Sequence, residues 1–248
     1  MSFVIVIPAR FASARLPGKP LLDIAGKPMI QHVWQRAMES QAEQVLIATD
    51  DQRIADVAHA FGAEVAFTRA DHPSGTDRLQ EVAQQQGWSE QVAVVNVQGD
   101  EPLIPAMVIN QVADVLLSNV RADIATLCEA ISDEQQFRDP NAVKVVCNEA
   151  GEALYFSRAP IAWPRDGIVD KYWGYRHIGI YAYRAGFLHR YVSWQPCVLE
   201  QTEKLEQLRA LYKGSVIQVE ESCMPIPAGV DTQHDLDIVR EHFLRQNI

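Results

Sequence analysis

The chain is poor in cysteine. It has four, Cys128, Cys147, Cys197 and Cys223, and no two stand at C-x-x-C spacing. That argues against a zinc site or a thioredoxin-like centre, and nothing suggests a disulfide framework, which fits a reducing compartment. Apolar runs are short as well. None approaches the ~20 residues needed to span a bilayer, and the opening segment MSFVIVIPAR lacks a basic n-region and a long h-region, so no signal peptide is expected. Positive charge is scarce: 22 Lys plus Arg stand against 32 Asp plus Glu, a formal net charge of −10. A general nucleic-acid binder would carry a basic face instead. The glycine signatures of nucleotide binding are missing too. The loop after the first apolar run, PARFASARLPGKPL at residues 8–21, holds only Gly18, and Pro20 follows Lys19 where a P-loop needs Ser or Thr. With 48% hydrophobic and 22% charged residues, the chain reads as an ordinary globular protein. The expectation is a cytoplasmic protein that neither binds nucleic acid nor enters a membrane.

What charge there is lies unevenly. Residues 1–36 carry Arg10, Arg15, Lys19, Lys27 and Arg36 against the single acid Asp23, a local charge of +4, so the remaining 212 residues carry −14. A basic cluster on an acidic protein points to a focused site for a small anion, or is chance.

Residues 3–7 are an unbroken, β-branched apolar run, the pattern of a strand buried on both faces, and 45–49, 64–68 and 92–97 also read as strands. Apolar positions at helical spacing recur over 29–38, 54–61 and 108–117, and another helix opens after Ser74-Gly75-Thr76. Strand and helix alternate for about 120 residues, which predicts a mostly parallel sheet with helices on both faces. Its ligands bind beyond the carboxyl ends of the strands. The second half differs. Residues 143–146, 153–156 and 178–183 read as strands without full helices between them, an antiparallel excursion or flap. A long helix over 199–212, a strand at 216–219 and a closing helix over 232–244 follow. A single domain, 1–248, with an inserted flap at about 140–183 is expected.

Several residues carry candidate chemistry. Arg10, Arg15 and Lys19 suit phosphate oxygens, or form a solvated basic loop. Asp100, in the turn Gln98-Gly99-Asp100-Glu101-Pro102 after the fourth strand, is placed to hold Mg²⁺, or belongs to a plain Gly-Asp turn. Asp231 precedes the last helix, where Thr232 and Asp235 fit a capping box; a metal role gains weight if the fold brings it beside Asp100. Ser74 offers backbone N–H groups at a helix start, or caps it. His177 heads the strand IGIYAY and is structural or catalytic. Arg158 and Arg165 suit a carboxylate, or surface ion pairs. Glu203, Glu206 and Gln207 face sugar hydroxyls, or water.

In their order along the chain, the segments PARFASARLPGKPL, ADHPSGTDR, VNVQGDEP, NAVKVV, ALYFSR, RHIGIYAYR, EKLEQLRAL and GVDT resemble the 3-deoxy-manno-octulosonate cytidylyltransferase (CMP-Kdo synthetase) family over residues 3 to about 240. The resemblance implies a Rossmann-like, three-layer α/β nucleotide-diphospho-sugar transferase fold with a mostly parallel mixed sheet. It implies CTP and Kdo as substrates, CMP-Kdo and pyrophosphate as products for lipopolysaccharide, Mg²⁺ as cofactor, and a homodimer made through the flap. It places the nucleotide on Ala9, Arg10, Ser13, Arg15, Lys19, Ser74 and Gln98, with Lys19, Arg15 and Asp100 catalytic. Asp100 and Asp231 become metal ligands. The sugar falls to Gln98, Arg158, His177, Glu206 and Gln207, with Arg158 meeting its carboxylate. Alternatives are another acidic sugar, 8-amino-Kdo or a sialate, and a non-catalytic nucleotide-binding regulator.

Overall fold

A computed structural model describes residues 2–12, 16–167 and 173–246. The first strand, β1 (Phe3–Ala9), is buried on both faces. Phe3, Ile5, Ile7 and Ala9 enter one core layer and Val4 and Val6 the other, which is why its apolar run is unbroken. Truncating a fully buried isoleucine there costs about 2–5 kcal/mol. After a 3-10 turn, Lys19–Leu21, a two-residue hairpin β2 (Asp23–Ile24) and β3 (Lys27–Pro28) leads into α1 (Met29–Met38). Then follow β4 (Gln44–Thr49), α2 (Gln52–Ala60), β5 (Glu64–Phe67), α3 (Gly75–Gln85), β6 (Ala93–Asn96) and α4 (Ala106–Ser118). The second half holds β7 (Ile124–Ala130), α5 (Glu134–Arg138), β8 (Lys144–Cys147), β9 (Ala153–Ser157), β10 (Tyr175–Arg184), α6 (Ala185–Tyr191), α7 (Val198–Glu203), α8 (Gln207–Tyr212), β11 (Ile217–Glu221) and α9 (Gln233–Gln246).

The main sheet runs β11-β7-β10-β6-β1-β4-β5, with β8 added antiparallel to β10 and β9 antiparallel to β8. β1 pairs parallel with β4 and β6, β4 with β5, and β11 with β7. Only β10 in that path is antiparallel to its neighbours. The fold is the expected mixed α/β architecture with a mostly parallel sheet. The antiparallel strand matters for the site. Tyr181 pairs with Asn96 at the carboxyl end of β6, so the residues before Tyr181 extend past that end into the ligand edge.

The structure departs from the sequence reading in several places, the β2–β3 hairpin and α5 among them. The helix expected over 199–212 is two. α7 stops at Lys204, whose left-handed backbone (φ 55, ψ 46) caps it, and α8 restarts at Gln207. Propensity alone would run through K-L-E-Q-L, but the break lets Leu205 bury while Glu206 and Gln207 reach a cavity. β7 and α6 are also additions to that reading. Ile-Ala-Thr-Leu-Cys-Glu-Ala neither alternates nor stays apolar throughout, and α6 follows β10 with no intervening loop.

β10 and β7 slip register between Ile178 and Tyr181: β10 advances three residues while β7 advances one, from Leu127 to Thr126. The bulge therefore inserts two residues, and side-chain parity survives it. Ile178, Ile180 and Ala182 stay in the core layer of α4, while His177, Gly179, Tyr181 and Tyr183 share the opposite face.

Candidate active site

Two adjoining depressions lie over the carboxyl ends of β1 and β6. The smaller, of 280 Å³, is lined by Pro8, Ala9, Arg10, Ala12, Lys19, Pro20, Gly75, Gln98, Gly99 and Asp100. The larger, of 440 Å³, shares Gly75, Gln98 and Asp100 with it. It continues to Thr76 and Asn96, to His177, Gly179, Tyr181 and Tyr183 of β10, to Tyr191 of α6, and to Lys204, Leu205, Glu206 and Gln207. One turn, Gln98–Asp100, is the partition between them.

Lys19 occupies the smaller depression at the head of its 3-10 turn. Gly18 enters that turn with a left-handed backbone (φ 68), and a Cβ there would meet the Phe11 ring at 3.1 Å. The Gly18 amide donates to the Phe11 carbonyl at 3.1 Å, and Arg53 lies 3.3 Å above the Phe11 ring. Phe11 and Gly18 thus form an aromatic anchor beside Lys19. Lys19 is 9% exposed. Its Nζ donates to Asp100 Oδ2 at 2.6 Å and to Asp231 Oδ1 at 3.1 Å. The fold does bring Asp231 beside Asp100, although 131 residues separate them. The Val230 amide donates to the Asp100 carbonyl at 2.8 Å, and Gly229 packs on Asp100 and Glu101. Asp231 also precedes a true capping box, since the Thr232 amide donates to Asp235 Oδ2 at 2.7 Å and the Asp235 amide to Thr232 Oγ1 at 3.3 Å. The capping box is therefore present, and Asp231 stands beside Asp100 through Lys19.

Arg10 donates from Nη2 to the carbonyls of His72 and Ser74, each at 3.0 Å, tying the loop after β1 to the start of α3. Ser74 caps that helix by accepting from the Asp77 amide. Ser13 and Arg15 lie outside the described residues.

On the larger side, the Thr126 hydroxyl lies 2.7 Å from the Ile180 carbonyl, 3.0 Å from that of Ile178 and 3.0 Å from His177 Nε2. A hydroxyl has one proton. With two carbonyls to serve, its oxygen accepts from His177, which assigns the imidazole proton to Nε2. Burial, aided by neighbouring Arg176, pulls the His177 pKa down to about 3, so the ring is neutral. Burial raises the phenol pKa values of Tyr181, Tyr183 and Tyr191, keeping all three protonated donors. Glu206 is accessible as a residue, but its carboxyl is enclosed by neighbours. That loss of hydration raises its pKa, opposed by hydrogen bonds from Thr76 and Ser74, with Thr76 Oγ1 at 3.1 Å. Arg158 is not brought to the wall. Its Nε donates to the Glu203 carbonyl at 2.7 Å and its Nη1 to the Pro140 carbonyl at 2.9 Å. Lys204 is instead the one cation among the described residues lining the larger cavity. Arg165 sits on the surface beside Asp166.

Sequence reasoning missed Thr76, Asn96, Glu101, Thr126, Tyr181, Tyr183, Tyr191 and Lys204. The alternation in I-G-I-Y-A-Y put two tyrosines on one face and was the available signal. Asn96 Oδ1 and Glu101 Oε2 are buried without a hydrogen-bond partner, and both residues line the larger cavity. Loss of hydration, reinforced by Asp100, pushes the Glu101 carboxyl up to about 8.

The residues fit a shared Mg²⁺. Two carboxylates from separate loops converge on one cation, the Lys19 ammonium, so their oxygens already form a cation position. No group of three or more His, Cys, Asp or Glu side chains among the described residues is arranged to hold a metal by itself. Mg²⁺ commonly takes one or two carboxylates and completes its shell with phosphate oxygens and water.

A family profile described as cytidylyltransferase matches residues 4–221. A relative from Hahella chejuensis (strain KCTC 2396), named 3-deoxy-manno-octulosonate cytidylyltransferase, is 58% identical over 246 residues, covering 96% of each chain. One of the same name from Cellvibrio japonicus (strain Ueda107) is 57% identical over 248 residues, covering 97% of each. A solved structure described as CMP:2-keto-3-deoxy-manno-octonic acid synthetase complexed with CTP superposes with a TM-score of 0.92 at 43% identity, covering 99% of this chain and all of that one. The architecture, the shared site edge and these relatives agree: the chain belongs to the cytidylyltransferase family, among the 3-deoxy-manno-octulosonate cytidylyltransferases.

Proposed function

We propose that this enzyme joins CTP to Kdo, with CTP in the smaller depression and the acidic sugar in the larger. The observation that carries the reading is the partition: Gln98–Asp100 borders both compartments, and the Lys19–Asp100–Asp231 cluster stands at their junction. In the reaction the sugar's anomeric oxygen forms a bond to the α-phosphorus, the bond from that phosphorus to the β-phosphate oxygen breaks, pyrophosphate leaves, and the hydroxyl proton is released. Phosphoryl transfer of this kind is mostly positioning and charge stabilisation.

Ala9, Ser13 and Ser74 seat the nucleotide, and Arg10, Arg15 and Lys19 neutralise the triphosphate and the leaving pyrophosphate. Asp100 and Asp231 hold Mg²⁺, which when bound lowers the pKa of the attacking hydroxyl and screens the phosphate charge. Gln98, His177, Glu206 and Gln207 bind sugar hydroxyls. His177 serves as a neutral ring fixed by Thr126. Arg158 reaches the sugar carboxylate only by releasing Glu203 and Pro140, whereas Lys204 already lines the cavity, so Lys204 is the nearer cation for it. No helix among the described residues is long and apolar enough to cross a membrane, in keeping with cytoplasmic synthesis of a lipopolysaccharide precursor. Exposed Leu154, Trp163 and Tyr212, on or beside the flap, support a homodimer contact there.

Pyrophosphate release from CTP, with Kdo, 8-amino-Kdo and sialate in parallel, tests the reading. Release with Kdo alone, abolished by a chelator, is expected. Release only with another sugar overturns the sugar assignment, and release with none overturns the activity.

A further inference from the structure

If Asp100 and Asp231 are the metal ligands, the position of Lys19 bears on the order in which the site fills. The Lys19 ammonium is bonded to one oxygen of each carboxylate, at 2.6 and 3.1 Å, with its side chain 11% exposed. A divalent cation bridging those carboxylates has to enter the gap between them, where the ammonium now lies. Two cations cannot share them at hydrogen-bonding distance without strong repulsion. Lys19 also lines the nucleotide depression with Arg10, so the phosphates offer its ammonium a second partner within the same cleft. Lysine suits such an exchange, being a compact charge on a flexible four-carbon stem, where arginine's planar fork is less adaptable. The loop around it is anchored by Phe11 and Gly18, so the side chain can move while its backbone stays.

We propose, resting on that metal reading, that Lys19 is an exchangeable internal counter-ion of Asp100 and Asp231: a divalent cation enters that pair only as Lys19 leaves it, and the triphosphate is the partner Lys19 leaves for. Nucleotide and metal are then coupled in affinity, and reciprocally so, because each removes the ion pair that opposes the other. The pair also keeps two carboxylates from facing each other unneutralised.

The test counts free Mn²⁺ by electron paramagnetic resonance in titrations of the nucleotide-free protein. Lys19→Met is expected to bind Mn²⁺ at least tenfold more tightly than the unsubstituted protein. Lys19→Gln serves as a second neutral variant with the same expectation, should the first fold poorly by circular dichroism. Lys19→Arg, which keeps the charge, should stay near the unsubstituted affinity. Lys27→Met, which removes an exposed cation of the same basic segment, should change nothing, separating exchange at the pair from net charge. Equal Mn²⁺ affinity with and without the Lys19 ammonium, alongside chelator-sensitive turnover, overturns the exchange while leaving the metal reading standing. No Mn²⁺ binding by any variant, with turnover indifferent to chelator, overturns both.

Discussion

Gly99 faces Pro8 so closely that a Cβ on Gly99 would stand 2.7 Å from the Pro8 carbonyl oxygen. Only glycine allows that approach. It seats the turn after β6 against the end of β1, and Gln98 and Asp100 on either side of Gly99 thereby face the shared edge of the two depressions. A backbone contact between neighbouring strands thus sets the spacing between the two depressions.

Gly99→Ala is accordingly expected to lower kcat at least tenfold, about 1.4 kcal/mol of transition-state stabilisation, while the far-ultraviolet circular dichroism is kept. The obstacle is backbone, so the turn itself must shift. Steady-state kinetics at saturating CTP and sugar check this, and an unchanged kcat would show that the turn tolerates displacement.

Thr126→Val keeps the shape of the side chain and removes the hydroxyl that serves His177, Ile178 and Ile180. Leaving buried polar groups without a partner costs about 1–3 kcal/mol each. The expected result is a lower melting temperature and a raised KM for the sugar, with KM for CTP little changed, because Thr126 holds His177 of the larger depression, proposed above to take the sugar. Equal rises in both KM values would mean that the bulge supports the whole edge rather than the sugar compartment.

Glu101 gives a pH-dependent stability effect. Its folded pKa of about 8 lies above the ordinary carboxylate value of 4.5 because its carboxyl has lost hydration beside Asp100. Between those values the folded chain holds a proton that the unfolded chain releases. Glu101 therefore makes stability decline as pH rises from about 4.5 through 8. In chelator and without nucleotide, Glu101→Gln should match the unsubstituted protein near pH 4.5. It should exceed it at pH 8 by at least about 1 kcal/mol, or roughly 2–4 °C in melting temperature for a chain of this size. A difference that does not vary with pH would remove the buried-acid description.

The strands that build the site edge were legible because β1, β4 and β6 are apolar on both faces, a pattern helices of this length do not show. The loops with Lys19, Asp100 and Asp231 were legible as charged turns at strand ends. Their meeting was not, since contact between Lys19 and Asp231 depends on residues 222–230 carrying the chain from β11, at one edge of the sheet, back to the turn after β1. Sequence periodicity could not find the break at Lys204. Leu205, Leu208 and Leu211 keep a helical stripe through it, and only a lysine tolerating a left-handed backbone ends α7. Nor could it reveal that Arg158 spends its guanidinium on two carbonyls, or that Glu101 is buried beside an exposed-looking neighbour; both depend on packing across distant segments.

In the function proposed above, the carboxylate of Asp100 works at the junction of the two depressions and not as part of the scaffold. The direct test is single-turnover formation of CMP-sugar by Asp100→Asn, with its melting temperature and CTP affinity measured alongside. The variant removes a charge from a partly exposed turn and leaves core packing untouched, so it should fold and still bind CTP while turnover is abolished. A near-normal rate in that folded variant would return Asp100 to the scaffold.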